Sequence, residues 1–373
     1  MKNLQNLMLH NLGSAANQKT WTEDGLFNYC YNIVFRAGYL ALYGNATSET
    51  EGDKEKAINK DRAESDVLFK EFRKYDQLFP NLAYNVLPPS GRREASRLLN
   101  FFQTFLSLEK IGSKNNISGW ISDLISARRE EGMSESMIER YMFVLLWASQ
   151  GNTGPSSFWL LLYLMKDPVA LKALRKEADK VLKESGQEVR PGGPPVDLTY
   201  EMLMKTPVLD SAVEETLRLV AAPLLTRSVL QDMTLNMANG RQFFIRKGDR
   251  MAVFPYIAVH IDPEIHPDPH TFKYDRFLTQ KTVTRGSPVP LVLSEAVSRG
   301  SPVPLVLSEA VSRGSPVPLV LFEGVTRGSP MPLVLSEAVT LAALLLLVLF
   351  EAVTRDLASE PRRAGIIVLE LGA

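Results

Sequence analysis

Glu215 and Arg218 stand three residues apart in Glu214-Glu215-Thr216-Leu217-Arg218-Leu219, so a helix puts the carboxylate and the guanidinium on one face. Their chemistry is ion pairing, because a planar guanidinium can meet a carboxylate through two parallel hydrogen bonds. Ordinary surface ion pairs share this spacing. A second candidate is Gly151-Asn152-Thr153-Gly154-Pro155, which interrupts an apolar helical pattern over 134–165. Pro155 removes a backbone donor and crowds the preceding turn, while the two glycines admit the close approach of another group. The pattern predicts a kinked helix, or one helix ending where a second begins. Cys30 is the single cysteine of 373 residues, which excludes an intrachain disulfide, a cysteine-based zinc site and an iron–sulfur cluster.

The elements that position these residues are mostly helical. Apolar residues recur at helical spacing over 24–42, with Phe27, Cys30, Tyr31, Val34 and Phe35 on one side and Gly44 placed to end the helix. Residues 48–62 are charge-rich and read as a solvated loop before a helix over 64–75. Helices are predicted over 92–110, over 118–131 with Ser118 as its cap, and from Asp167-Pro168 to about residue 185. After a Gly-Pro loop at 192–195, another helix covers 208–219 and carries the Glu–Arg pair. Strands follow over 225–229, 233–237, 242–245 and 250–254, with Asn239-Gly240 as a hairpin turn. A wholly helical first 130 residues and a small sheet afterwards predict an α+β fold, mainly α.

Forty-two basic and forty-two acidic residues leave no net charge to draw in a phosphate backbone, which disfavours a nucleic-acid partner. The first residues lack the apolar run of a signal peptide. No segment reaches the roughly 20 apolar residues of a membrane span. Past Leu278 the text changes, and Thr284-Arg285-Gly286-Ser287-Pro288-Val289-Pro290-Leu291-Val292-Leu293-Ser294-Glu295-Ala296-Val297 recurs with Arg285, Arg299, Arg313 and Arg327 at 14-residue intervals. Natural repeats keep a pattern while varying residues. Near-identity of these copies predicts translation of a tandem DNA repeat through a wrong exon or frame.

Three runs carry a family likeness: Leu146-Trp147-Ala148-Ser149-Gln150-Gly151-Asn152-Thr153-Gly154-Pro155-Ser156-Ser157-Phe158-Trp159, then Pro207-Val208-Leu209-Asp210-Ser211-Ala212-Val213-Glu214-Glu215-Thr216-Leu217-Arg218-Leu219, and Phe254-Pro255-Tyr256 through His266-Pro267 to Phe272-Lys273-Tyr274-Asp275-Arg276-Phe277-Leu278. Over residues 20–278 the chain resembles the cytochrome P450 family, in the branch of sterol 12-alpha-hydroxylase and prostacyclin synthase and nearer the former. The resemblance implies that Glu215, Arg218 and Arg276 form a buried structural network and that Arg227 pairs with a haem propionate. It implies that the interrupted helix crosses the distal face of the haem. There Asn152 and Thr153 would serve proton delivery with ordered water; the acid usual in the family falls at Gly151 and its threonine at Asn152. The implied cofactor is haem, the substrate a sterol of bile acid synthesis, the electron donor NADPH-cytochrome P450 reductase, and the location the endoplasmic reticulum membrane.

The chain departs from that family in two places. Its haem is held by a cysteine thiolate downstream of the Arg276 motif, and no cysteine follows Leu278. Cys30 matches an upstream helix position, and His260, His266 and His270 lie in ordinary family sequence and replace nothing. No other metal ligand set is read in the chain. The membrane anchor, first sheet strands and a propionate-binding helix of relatives have no counterpart before residue 20, so a cytoplasmic location is the expectation for the chain by itself. The expectation is a partial cytochrome P450 domain over 1–278, a tail over 279–373 without native structure, and a monooxygenase inactive as written. A same-fold alternative is a prostacyclin-synthase-like isomerase. One of another class is a non-enzymatic interaction protein using Ser-Pro-Val-Pro repeats as polyproline II ligands.

Overall fold

The computed structural model describes residues 22–47, 52–187, 196–221, 225–237, 239–278 and 367–370, with residues 3, 4, 6–8 and 10 near the N-terminus. Helix α1 (Leu26–Tyr43) is apolar almost all round, and Cys30, Ile33 and Phe35 are fully buried. Such a helix belongs at the centre of a core. Its aromatic side meets the next helix, with the Phe35 ring 4.5 Å from Phe72 and Tyr31 5.7 Å from Phe69 between centroids. The helix stops at Gly44, whose φ of +88° suits glycine and where a Cβ would stand 2.6 Å from the Asn115 carbonyl oxygen.

Helix α2 (Lys54–Ala83) starts well before the expected helix at 64, which corrects the loop assigned to 48–62; residues 48–51 lie outside the described residues. Asp53 caps it by accepting from the Glu55 N–H at 3.3 Å. The charge-rich turns are tied inward. Asp61 accepts from Asn45 Nδ2 at 2.9 Å and from the Ala46 N–H at 2.8 Å, and Arg36 donates to Ser65 Oγ at 3.1 Å and to the Arg62 carbonyl at 3.0 Å.

The single helix expected over 92–110 is two, α3 (Pro89–Phe105) and α4 (Leu108–Gly112), because Ser107 turns outward and caps the second by accepting from Lys110 N–H at 3.4 Å. In α5 (Gly119–Glu130) Ser118 holds the N-cap position without a side-chain bond; its own N–H donates to the Leu42 carbonyl at 3.0 Å. Helices α6 (Glu135–Gln150) and α7 (Thr153–Lys166) flank the interruption, and α8 (Pro168–Glu184) begins where Asp167 accepts from the N–H groups of Val169 and Ala170, both at 3.0 Å. A short α9 (Tyr200–Leu203), absent from the sequence reading, precedes α10 (Pro207–Val220), while the loop read at 192–195 lies outside the described residues. Helix α7 packs against α1 on one side and against α10 and α8 on others.

Among the described residues the strands form three two-stranded sheets. Strand β3 (Met233–Asn236) pairs antiparallel with β4 (Gln242–Ile245) around Asn239-Gly240, the hairpin the sequence predicts, and β2 (Leu225–Ser228) pairs antiparallel with β5 (Arg250–Val253). Strand β1 (Thr22–Gly25) interrupts the helical first 130 residues and pairs parallel with β6 (Ile367–Glu370). The tail assigned to 279–373 otherwise lies outside the described residues. The architecture is mainly α with small sheets, in agreement with the expected α+β class.

Candidate functional site

Helix α10 brings the predicted ion pair together and buries it. Arg218 Nε and Nη2 donate to Glu215 Oε2 at 2.7 Å and Oε1 at 2.9 Å, a two-pronged contact made possible by their i, i+3 spacing. Arg276, far along the chain, donates through Nε to the same Oε2 at 2.9 Å, and the Lys273 N–H reaches Oε1 at 3.1 Å. Glu215 is fully buried. Burial pushes its carboxyl up, but hydrogen bonds from Arg218, Arg276 and the Lys273 N–H outweigh that and hold it below the usual glutamate value.

The two arginines also close the irregular segment around them. Arg218 Nη1 donates to the carbonyls of His260 at 2.5 Å and Pro269 at 2.7 Å, while Arg276 donates to those of Pro267 at 2.7 Å, Asp268 at 3.2 Å and Thr271 at 3.1 Å. Sequence reasoning missed two supports. Ser211 Oγ accepts from the Phe277 N–H at 3.0 Å, and the rings of Phe272 and Tyr163 stack at 4.8 Å. The available signal for Ser211 was its place one turn before Glu215 on the same helix face.

At the interruption, Gly151 (φ −61°, ψ −24°) and Asn152 (φ −104°, ψ −37°) keep right-handed angles between two helices, α6 ending at Gln150 and α7 beginning at Thr153. Pro155 sits in the first turn of α7, where its missing N–H is tolerated. Gly154 admits the Tyr31 ring of α1, and any Cβ there would run into that ring. Thr153 is buried and donates Oγ1 to the Ser149 carbonyl at 3.2 Å, which fixes a direction the sequence left open. Asn152 is exposed, and its side chain makes no hydrogen bond among the described residues. Neither side chain bonds to the clamp.

Arg227 is exposed on β2, and its guanidinium donates only to the neighbouring Thr226 carbonyl at 2.8 Å. Among the described residues no cluster of three or more His, Cys, Asp or Glu could hold a metal ion, and no helix is long and apolar enough to cross a membrane.

Alongside this fold and the buried Glu215–Arg218–Arg276 network, the cytochrome P450 family model matches residues 1–291, and the chain belongs to that family. Among curated relatives it is 46% identical to 5-beta-cholestane-3-alpha,7-alpha-diol 12-alpha-hydroxylase of Sus scrofa over 75% of this chain and 53% of that one. It is 45% identical to 7-alpha-hydroxycholest-4-en-3-one 12-alpha-hydroxylase of Homo sapiens over 74% and 53%. Prostacyclin synthase of Homo sapiens is 39% identical over 72% and 52%. The chain spans about half the length of these relatives.

Haem is the cofactor of the family, and the residues present fit it in part. Arg227 offers a free-standing cation suited to a carboxylate. The thiolate does not fit. Cys30 on α1 is fully buried, and burial pushes its thiol up to about 12, which favours the protonated thiol over the thiolate.

Proposed function

We propose that residues 1–278 are the body of a haem monooxygenase of the sterol 12-alpha-hydroxylase kind, acting on the sterol ring, and that 279–373 form a tail foreign to that domain. The higher identity to the two 12-alpha-hydroxylases than to prostacyclin synthase is the observation that carries this reading. The single cysteine, Cys30, is buried, and on this reading the 373-residue chain by itself supplies no haem thiolate and is catalytically silent.

Within the body each residue has a distinct task. Glu215, Arg218 and Arg276 are structural. Asn152 presents an amide at the interruption that can donate to and accept from an ordered water, and Thr153, its proton committed to Ser149, keeps lone pairs for the same water. Arg227 is the cation for a haem propionate. The redox partner is NADPH-cytochrome P450 reductase and the site of action the endoplasmic reticulum membrane.

The test is an exchange of residues 20–278 for the matching stretch of the intact pig 12-alpha-hydroxylase, supplied with haem and the reductase. The exchanged enzyme should hydroxylate 5-beta-cholestane-3-alpha,7-alpha-diol, whereas the unmodified chain should give no product. Rearrangement of an endoperoxide without sterol product would replace this reading with the isomerase one, which the 39% identical prostacyclin synthase favours.

A further inference from the structure

We propose that Glu177 is a positioning residue for the clamp, a carboxylate on α8 that fixes the first turn of α10 and thereby the docking of residues 267–278. Its Oε1 accepts from the Val208 N–H at 2.8 Å and its Oε2 from the Leu209 N–H at 2.9 Å. These amides belong to the first turn of α10, whose N–H groups have no partner within their own helix. The helix supplies no cap of its own. Thr206 stands at the N-cap, but its hydroxyl donates to the Leu203 carbonyl at 2.7 Å, and Pro207 has no N–H.

A carboxylate there also complements the positive end of the helix dipole. Because both oxygens are used on consecutive amides, Glu177 fixes the rotation of α10 as well as its distance from α8. Ser211 follows on the next turn and receives the Phe277 N–H, and Glu215 one turn later receives the Lys273 N–H. A first turn that frays therefore loosens Ser211 first and Glu215 less. The role of Glu177 rests on amides of the chain itself and is independent of the monooxygenase reading.

Amide hydrogen exchange on the full chain tests it, with Glu177→Gln, which keeps shape and removes charge, and with Ser211→Ala as a comparison. In Glu177→Gln, exchange at Val208 and Leu209 should accelerate about tenfold, as loss of a cap implies. Phe277 should accelerate with them and Lys273 less, with α3 unchanged. Ser211→Ala should accelerate Phe277 while Val208 and Leu209 stay slow. Faster exchange at Val208 and Leu209 with Phe277 as in the wild type would make Glu177 a local cap and overturn the proposal. Uniform acceleration that includes α3 would overturn it too, by making Glu177 a general stabiliser, and so would no change at any of these amides.

Discussion

Glu215 accepts from Arg218, Arg276 and the Lys273 N–H in a place water does not reach, so its removal strands two guanidinium groups. Glu215→Ala should lower unfolding free energy by about 3–5 kcal/mol, read from urea denaturation. The pH dependence has a definite sign. The folded carboxyl lies below its usual 4.5, so its contribution is whole above that pH and is lost as pH falls through the depressed value. Unfolding titrations should therefore show a steeper acid loss below about pH 4.5 in the wild type than in Glu215→Gln; equal slopes would contradict the assignment. Gly154 makes a separate prediction, since a methyl there must displace the Tyr31 ring: Gly154→Ala should cost about 1–3 kcal/mol by thermal or urea unfolding. At this scale the i, i+3 spacing exposed the Glu215–Arg218 pair to a reader of the sequence, and the family likeness added Arg276. The carbonyls of His260 and Pro269 stayed hidden, because backbone oxygens carry no pattern that separates one loop from another, and Ser211 was marked only by its place one turn before Glu215.

Helix α10 and helix α7 carry those residues, the first led in by Pro207 and the second with Pro155 in its first turn. Asp167, between α7 and α8, caps two amides of α8. Asp167→Ala should destabilise the chain by about 1 kcal/mol in urea unfolding while leaving amide exchange in α3 unchanged; an unaltered midpoint would remove the cap's role. The same capping chemistry explains which elements were legible. Asp167-Pro168 and Asn239-Gly240 are strong local signals, and the helix and hairpin they predict are present. The early start of α2 was obscured because its first turns expose charge, and the groups that anchor them, Asp61 to Asn45 and Ser65 to Arg36, are contacts between distant residues. Likewise Ser107 splits 92–110 into α3 and α4 although both halves keep helical apolar spacing.

For the whole molecule, a chain that belongs to the cytochrome P450 family holds residues 267–277 against α10 through the clamp, and its only cysteine is buried on α1. On the proposed reading, this chain keeps the Glu215 clamp without a thiolate for a haem. Its most direct test is the absorbance of the purified chain reconstituted with haem, reduced, and exposed to carbon monoxide. No band of a thiolate-ligated ferrous carbon monoxide complex is expected, in the wild type and in Cys30→Ser alike. A thiolate band in the wild type would contradict it, and disappearance of that band in Cys30→Ser would identify Cys30 as the ligand.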